Sequence, residues 1–146
     1  MTTSTRQLPQ HALRQLFDGT VPPGVYRWRP ENPAAAVSDA LHWAAESEWH
    51  AVALRLRGVD GKEAFLARCA VDLQLPSWFG HNWDALADCL RDLSWWGEPT
   101  GYLLLAHPWS VFEQADPEAA GTAVGVFAAA VDHWAARQVP MAVLLG

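Results

Sequence analysis

Lysine occurs once in the 146 residues, at Lys62, and cysteine twice, at Cys69 and Cys89. Ten Lys and Arg stand against sixteen Asp and Glu, a formal charge of −6. No basic stripe is available to hold a phosphate backbone, so direct nucleic-acid binding is not expected. Two cysteines cannot build a disulfide framework. They read as small buried hydrophobes, kept as thiols in a reducing compartment. No apolar run approaches the ~20 residues that span a bilayer, and the opening M-T-T-S-T-R-Q lacks a signal-peptide core. The expectation is a cytoplasmic protein with no membrane attachment. The six histidines (His11, His42, His50, His81, His107, His133) fall into no metal-ligand spacing. There is no G-x-S-x-G elbow, phosphate-binding glycine loop or dinucleotide fingerprint, so neither metal nor cofactor is expected.

What the chain has is apolar bulk. Hydrophobic residues make up 51%, nine of them tryptophan, which argues against disorder. The length suits one ordinary domain with a real core. Residues 1–24 read as a mixed arm, with a scrap of helical periodicity in Leu13, Leu16 and Phe17 ended by Asp18-Gly19. Residues 25–28 alternate as a short strand does. Asn32-Pro33 is a helix start, Asn at the N-cap and Pro in the first turn, with a helix to about Ser47. Residues 49–57 alternate as a strand, 62–71 as a second helix. Residues 102–105 are continuously apolar, the signature of a parallel strand buried on both faces. A short helix fits 109–114, and Asp116-Pro117 repeats the capping signal before a long helix to about Arg137. Residues 141–145 form a last strand. Strands alternating with helices imply a parallel α/β sheet with right-handed crossovers.

The densest chemistry lies in residues 75–93, L-P-S-W-F-G-H-N-W-D-A-L-A-D-C-L-R-D-L. Asn82 is a strong N-cap for the helix that follows. Asp84, Asp88 and Asp92 recur at spacing four, each about 40° from the last around the axis, and share one stripe. Leu86, Leu90 and Leu93 take the opposite, buried side. Acids at i and i+4 repel by a few tenths of a kcal/mol, and only Arg91 is near enough to soften this. Two readings compete: a solvated helix face, or a surface built to meet something cationic. Spacing alone favours the former. A third reading makes Asp84 and Asp88 a catalytic acid/base pair. An exposed stripe on one helix provides neither the cleft nor the split pKa values that such work needs, so the chain is not read as an enzyme.

The run L-P-x-W-F-G-H-N-W-D-A-L-A-D-C-L resembles the signature of barstar-type ribonuclease inhibitors. Residues 54–58 before it, and 101–106 (G-Y-L-L-L-A), 112–114 (F-E-Q), 124–127 (V-G-V-F) and 141–145 after it, follow the family's order and spacing. The resemblance covers roughly 51–146. It implies an α/β, barstar-like parallel sheet of three core strands packed with helices. The βα unit in residues 1–50 is then an N-terminal extension that offers a fourth strand within one domain, 1–146. The function implied is that of an intracellular protein that plugs the active site of a secreted microbial guanyl-specific ribonuclease, one-to-one.

The resemblance also assigns roles. Asp88 enters the nuclease site in place of an RNA phosphate, and Asp84 meets an arginine at the rim. Asn82 and Gly80 belong to the binding loop. Trp78 stands where the family has an aromatic, normally Tyr, against a catalytic histidine. Ala87 sits at the centre of the same helix face, where the best-known member carries an aromatic, and Ala129 replaces that member's glutamate. These departures bear on which ribonuclease is the target, and leave open an immunity or interaction protein with a different partner. Trp83 reads as packing. Trp95 and Trp96 read equally as interface anchors or as a core pair.

Overall fold

The computed structural model describes residues 5–9 and 12–146. Among them are five strands, β1 (Arg6–Gln7), β2 (Gly24–Arg27), β3 (His50–Arg55), β4 (Tyr102–His107) and β5 (Met141–Leu145), and six α-helices. The helices are α1 (Leu13–Asp18), α2 (Pro33–Glu46), α3 (Lys62–Asp72), α4 (Trp83–Leu90), α5 (Trp109–Ala115) and α6 (Pro117–Ala135). His11 lies outside the described residues. The strands form one all-parallel sheet in the order β1-β2-β5-β4-β3.

Capping chemistry sets the helix starts. Asn32 and Asp116 each accept a backbone N–H three residues on, from Ala35 at 3.3 Å and Ala119 at 3.0 Å, with Pro33 and Pro117 in the first turn. Such a cap is worth about 1 kcal/mol. β4 and β5 are buried on both faces, which is why they read as unbroken apolar runs.

Two helical layers sandwich the sheet. On one face α3 to α6 pack through Phe65, Leu86, Phe112 and Phe127 onto Leu104, Ala106 and Val143. On the other, α1 and α2 pack through Leu13, Leu16, Ala40 and Ala44 onto Leu103, Leu105, Ala142 and Leu144. Close approach decides one glycine here. A Cβ on Gly101 would lie 2.5 Å from the Trp49 indole, so only glycine lets Trp49 seal that end.

The three core strands and the extra strand fall where the sequence implies, and β2 joins the sheet beside β5. The extension adds more than a fourth strand. Arg6 and Gln7 pair with Tyr26 and Arg27 to make a fifth. At the end of β2, Arg27 reaches across to α5 and holds Glu113 in a two-pronged ion pair at 3.0 and 2.6 Å. The guanidinium hydrogen bonds pull the Glu113 carboxyl below its usual range against the opposing effect of burial.

Candidate functional site

The site grows out of the turn before α4. Leu75 and Pro76 are half-buried, and Phe79 is buried, its N–H bonded to Pro76 O at 2.9 Å. These anchors leave Trp78 standing out, 61% exposed, among the few large apolar side chains that the described surface shows to solvent. His81 takes a left-handed backbone (φ 52°) and lays its ring 4.9 Å from Phe79. Asn82 then starts the helix, its Oδ1 accepting from Ala85 N at 2.8 Å. Its Nδ2 donates back to Gly80 O at 3.3 Å, which ties the loop to the cap. A Cβ on Gly80 would press to 3.1 Å from that same Nδ2, so glycine keeps the tie unstrained.

Beyond the cap, Leu86 and Leu90 are wholly buried, as their spacing predicts, and so are Cys89 and, past the helix end, Leu93. Asp84 and Asp88 project outward and are exposed, with half-buried Ala87 beside them. Asp88 is partnered: Arg91 donates to its Oδ1 at 2.7 Å while the Arg91 Nε caps Ala87 O at 3.2 Å.

Asp92 departs from the expected stripe. α4 ends at Leu90, and Leu93 turns left-handed (φ 54°) to bury its side chain completely. The N–H groups of Asp92 and Leu93 both close on Cys89 O, at 3.1 Å each. Burial of Leu93 therefore breaks the helical spacing, and Asp92 borders a separate cavity with Glu98, Tyr102 and Trp134. The acidic front is two residues wide, not three.

The tryptophans sort by what they touch. Trp83 is half-buried with its ring 5.8 Å from Phe65. Trp95 donates its indole N–H to Leu73 O at 3.3 Å, and Trp96 stacks on His50 at 4.3 Å. Both are half-buried against the main core and act as packing. Cys69 and Cys89 are buried free thiols, and burial pushes both away from ionisation. No group of His, Cys, Asp and Glu among the described residues is arranged to hold a metal.

An exposed aromatic, a capped loop and two exposed carboxylates on one helix thus follow one another within residues 78–88. Residues 49–146, two-thirds of the sequence, match the sequence model of the family described as Barstar (barnase inhibitor). The chain belongs to the barstar family. No curated protein matches it. Barstar-family proteins are inhibitors, and membership implies a barnase-type ribonuclease inhibitor or a related immunity protein, with a ribonuclease as partner. The matched span begins just before β3, so β1, β2, α1 and α2 lie outside it.

Proposed function

We propose that this barstar-family chain is an intracellular inhibitor of a secreted guanyl-specific ribonuclease. It blocks the enzyme's active site one-to-one with α4 and the loop before it. The observation that carries the reading is the pair Asp84 and Asp88, exposed on one face of a helix whose start is fixed by Asn82. Ribonuclease sites gather cations to grip phosphate, and a carboxylate on a rigid support mimics that phosphate through charge-assisted hydrogen bonds. Trp78 adds a large aromatic contact beside it, of the kind that dominates interfaces. Gly80 and Asn82 allow the loop backbone to approach the enzyme closely, and Ala87 leaves room at the centre of the face. No covalent step is involved. Binding sterically excludes RNA, and the acidic front draws in the positive groove.

The deciding experiment is a titration of RNA cleavage by such a ribonuclease, using wild type and Asp88→Ala. Stoichiometric inhibition by wild type, greatly weakened in the variant, upholds both the activity and the contact. Equal inhibition by both would reject Asp88 as the key contact.

A second reading draws on Ala87 and Ala129, which stand where the best-known member of the family carries an aromatic and an acid. In that reading the chain is an immunity or interaction protein for a different nuclease toxin or another partner. No inhibition of several guanyl-specific ribonucleases, with thermal stabilisation by an unrelated nuclease, selects it.

A further inference from the structure

The loop after α4 folds back on itself. Burial of Leu93 ends the helix, and a short 3₁₀ turn, Ser94–Trp96, packs Trp95 and Trp96 against the core. Gly97 then reverses the chain at φ 76°, a left-handed value that favours glycine. The return brings Glu98 to the cavity that Asp92 borders, between this loop, the start of β4 and the end of α6. The cavity measures about 420 Å³. That lies within the ~300–1,000 Å³ of clefts that hold small ligands.

Its walls are carbon, from Tyr102, Trp134 and Val139. The Tyr102 and Trp134 rings lie 5.0 Å apart. Trp134 commits its indole N–H to Leu90 O at 2.8 Å, so what it has left for a ligand is its π-system. Tyr102 is 3% exposed, yet its hydroxyl forms no hydrogen bond among the described residues. A buried phenol usually finds a partner. Burial raises this phenol above its ordinary range, and the charges of Glu98 and Asp92 raise it further. Both of those carboxylates line the cavity, so the hydroxyl faces into it.

Asp92 and Glu98 are exposed, and neither carboxylate has an ion pair or accepts a hydrogen bond among the described residues. Arg137 lines the same cavity but pairs with neither. Its Nη1 lies instead 3.3 Å from His133 Nδ1 and 3.4 Å from His133 O. Two carboxylates against one guanidinium leave the lining net negative. An anion is repelled there, and a neutral apolar guest leaves both acids unmet. A cation with N–H donors answers every group. The carboxylates and the phenol oxygen accept its hydrogen bonds, and the two rings attract its charge.

We propose that this cavity binds an organic cation with N–H donors on an apolar stem, an alkylguanidinium or alkylammonium group held by Asp92, Glu98, Tyr102 and Trp134. The site is distinct from Asp84 and Asp88 and does not rest on the inhibitory reading.

The test is an NMR titration of the isotope-labelled full chain with ethylguanidinium at low ionic strength. The expected result is a saturable shift of the Trp134 indole resonance with a Kd of about 5 mM or tighter. Asp92→Asn and Glu98→Gln, both at exposed positions, each weaken binding at least about threefold. Asp39→Asn, an exposed acid on α2 outside the cavity, leaves it unchanged. N-acetylarginine amide binding more tightly than ethylguanidinium assigns an arginine side chain of a protein partner, and the reverse assigns a free small cation. Either upholds the site. No saturable shift up to about 50 mM, uncharged ethylurea binding as tightly as ethylguanidinium, or wild-type affinity in both carboxylate variants overturns it.

Discussion

Asp88 and Arg91 form an ion pair at the centre of the proposed inhibitory face, with side chains 66% and 45% exposed. An exposed pair of this kind contributes no more than about 1 kcal/mol, so a partner's cation displaces Arg91 at little cost. Removing the guanidinium instead leaves the face one unit more negative. Arg91→Gln is therefore expected to shift stability by no more than about 0.5 kcal/mol. It should raise the association rate with the ribonuclease several-fold at low salt, an advantage that shrinks as the Debye length shortens. Stopped-flow association across a salt series reads this directly, and an unchanged rate at low salt would remove Arg91 from the steering surface. Asp88→Ala acts on the opposite side of the balance. Truncating one member of a desolvated charge pair at an interface costs roughly 2–5 kcal/mol, a range that draws on the family's founding complex and is a benchmark rather than a deduction from this structure. The loss should sit in the dissociation rate. The Asn82 cap and the outward placement of Asp84 and Asp88 were legible in the sequence, because capping and spacing are local, whereas Gly80 entered only through the family resemblance. The pairing of Arg91 with Asp88 depends on a rotamer at the helix end, which spacing only suggests.

At the scale of elements, local signals succeeded where they were local in origin. Asn32-Pro33 and Asp116-Pro117 begin α2 and α6 as read, because an N-cap is decided within four residues. The end of α4 was not legible, because it is decided by the burial of Leu93 rather than by a stop signal. Nor was β1, since two residues carry no alternation and Arg6 and Gln7 gain a strand only by lying beside Tyr26 and Arg27. Another tertiary tie joins α3 to β3: Asp72, its side chain 3% exposed, accepts from Arg55 N at 2.9 Å and from the Arg55 guanidinium at 2.6 and 3.3 Å. Burial pushes this carboxyl up, but the Arg55 hydrogen bonds and charge outweigh it and hold it below the ordinary range. A carboxyl depressed by folding contributes stability above its unfolded pKa of about 3.9, and that contribution is lost as pH falls through the folded value. Asp72→Asn is expected to cost about 1–3 kcal/mol at neutral pH. It should also flatten the acid limb of the stability curve below about pH 4. Urea melts of both proteins across that range check it, and parallel acid limbs would show that Asp72 carries no pH-linked stability.

For the whole molecule, the open question is what residues 1–48 do for the matched core. Their helices bury Leu103, Leu105 and Leu144 to 0–1% exposure, and β2 covers the edge of β5. Burying three leucines stabilises by about 5–9 kcal/mol, an upper figure because unfolded chains already bury some of this surface. That approaches the entire ~5–15 kcal/mol of a typical domain. Removing the extension would also bare a long apolar parallel edge, an invitation to aggregate. The sequence carries the same message, since 102–105 and 141–145 are apolar on both alternating faces and a sheet face built for water would not be. The single-domain reading therefore predicts that the full chain melts in one transition with equal calorimetric and van't Hoff enthalpies. Residues 49–146 alone should bind hydrophobic dyes and lack a cooperative melt, even though they hold the whole proposed inhibitory face. Two transitions in the full chain, or a cooperative melt of the 49–146 piece near the full-length Tm, would make the extension a separate unit and the leucine face self-sufficient.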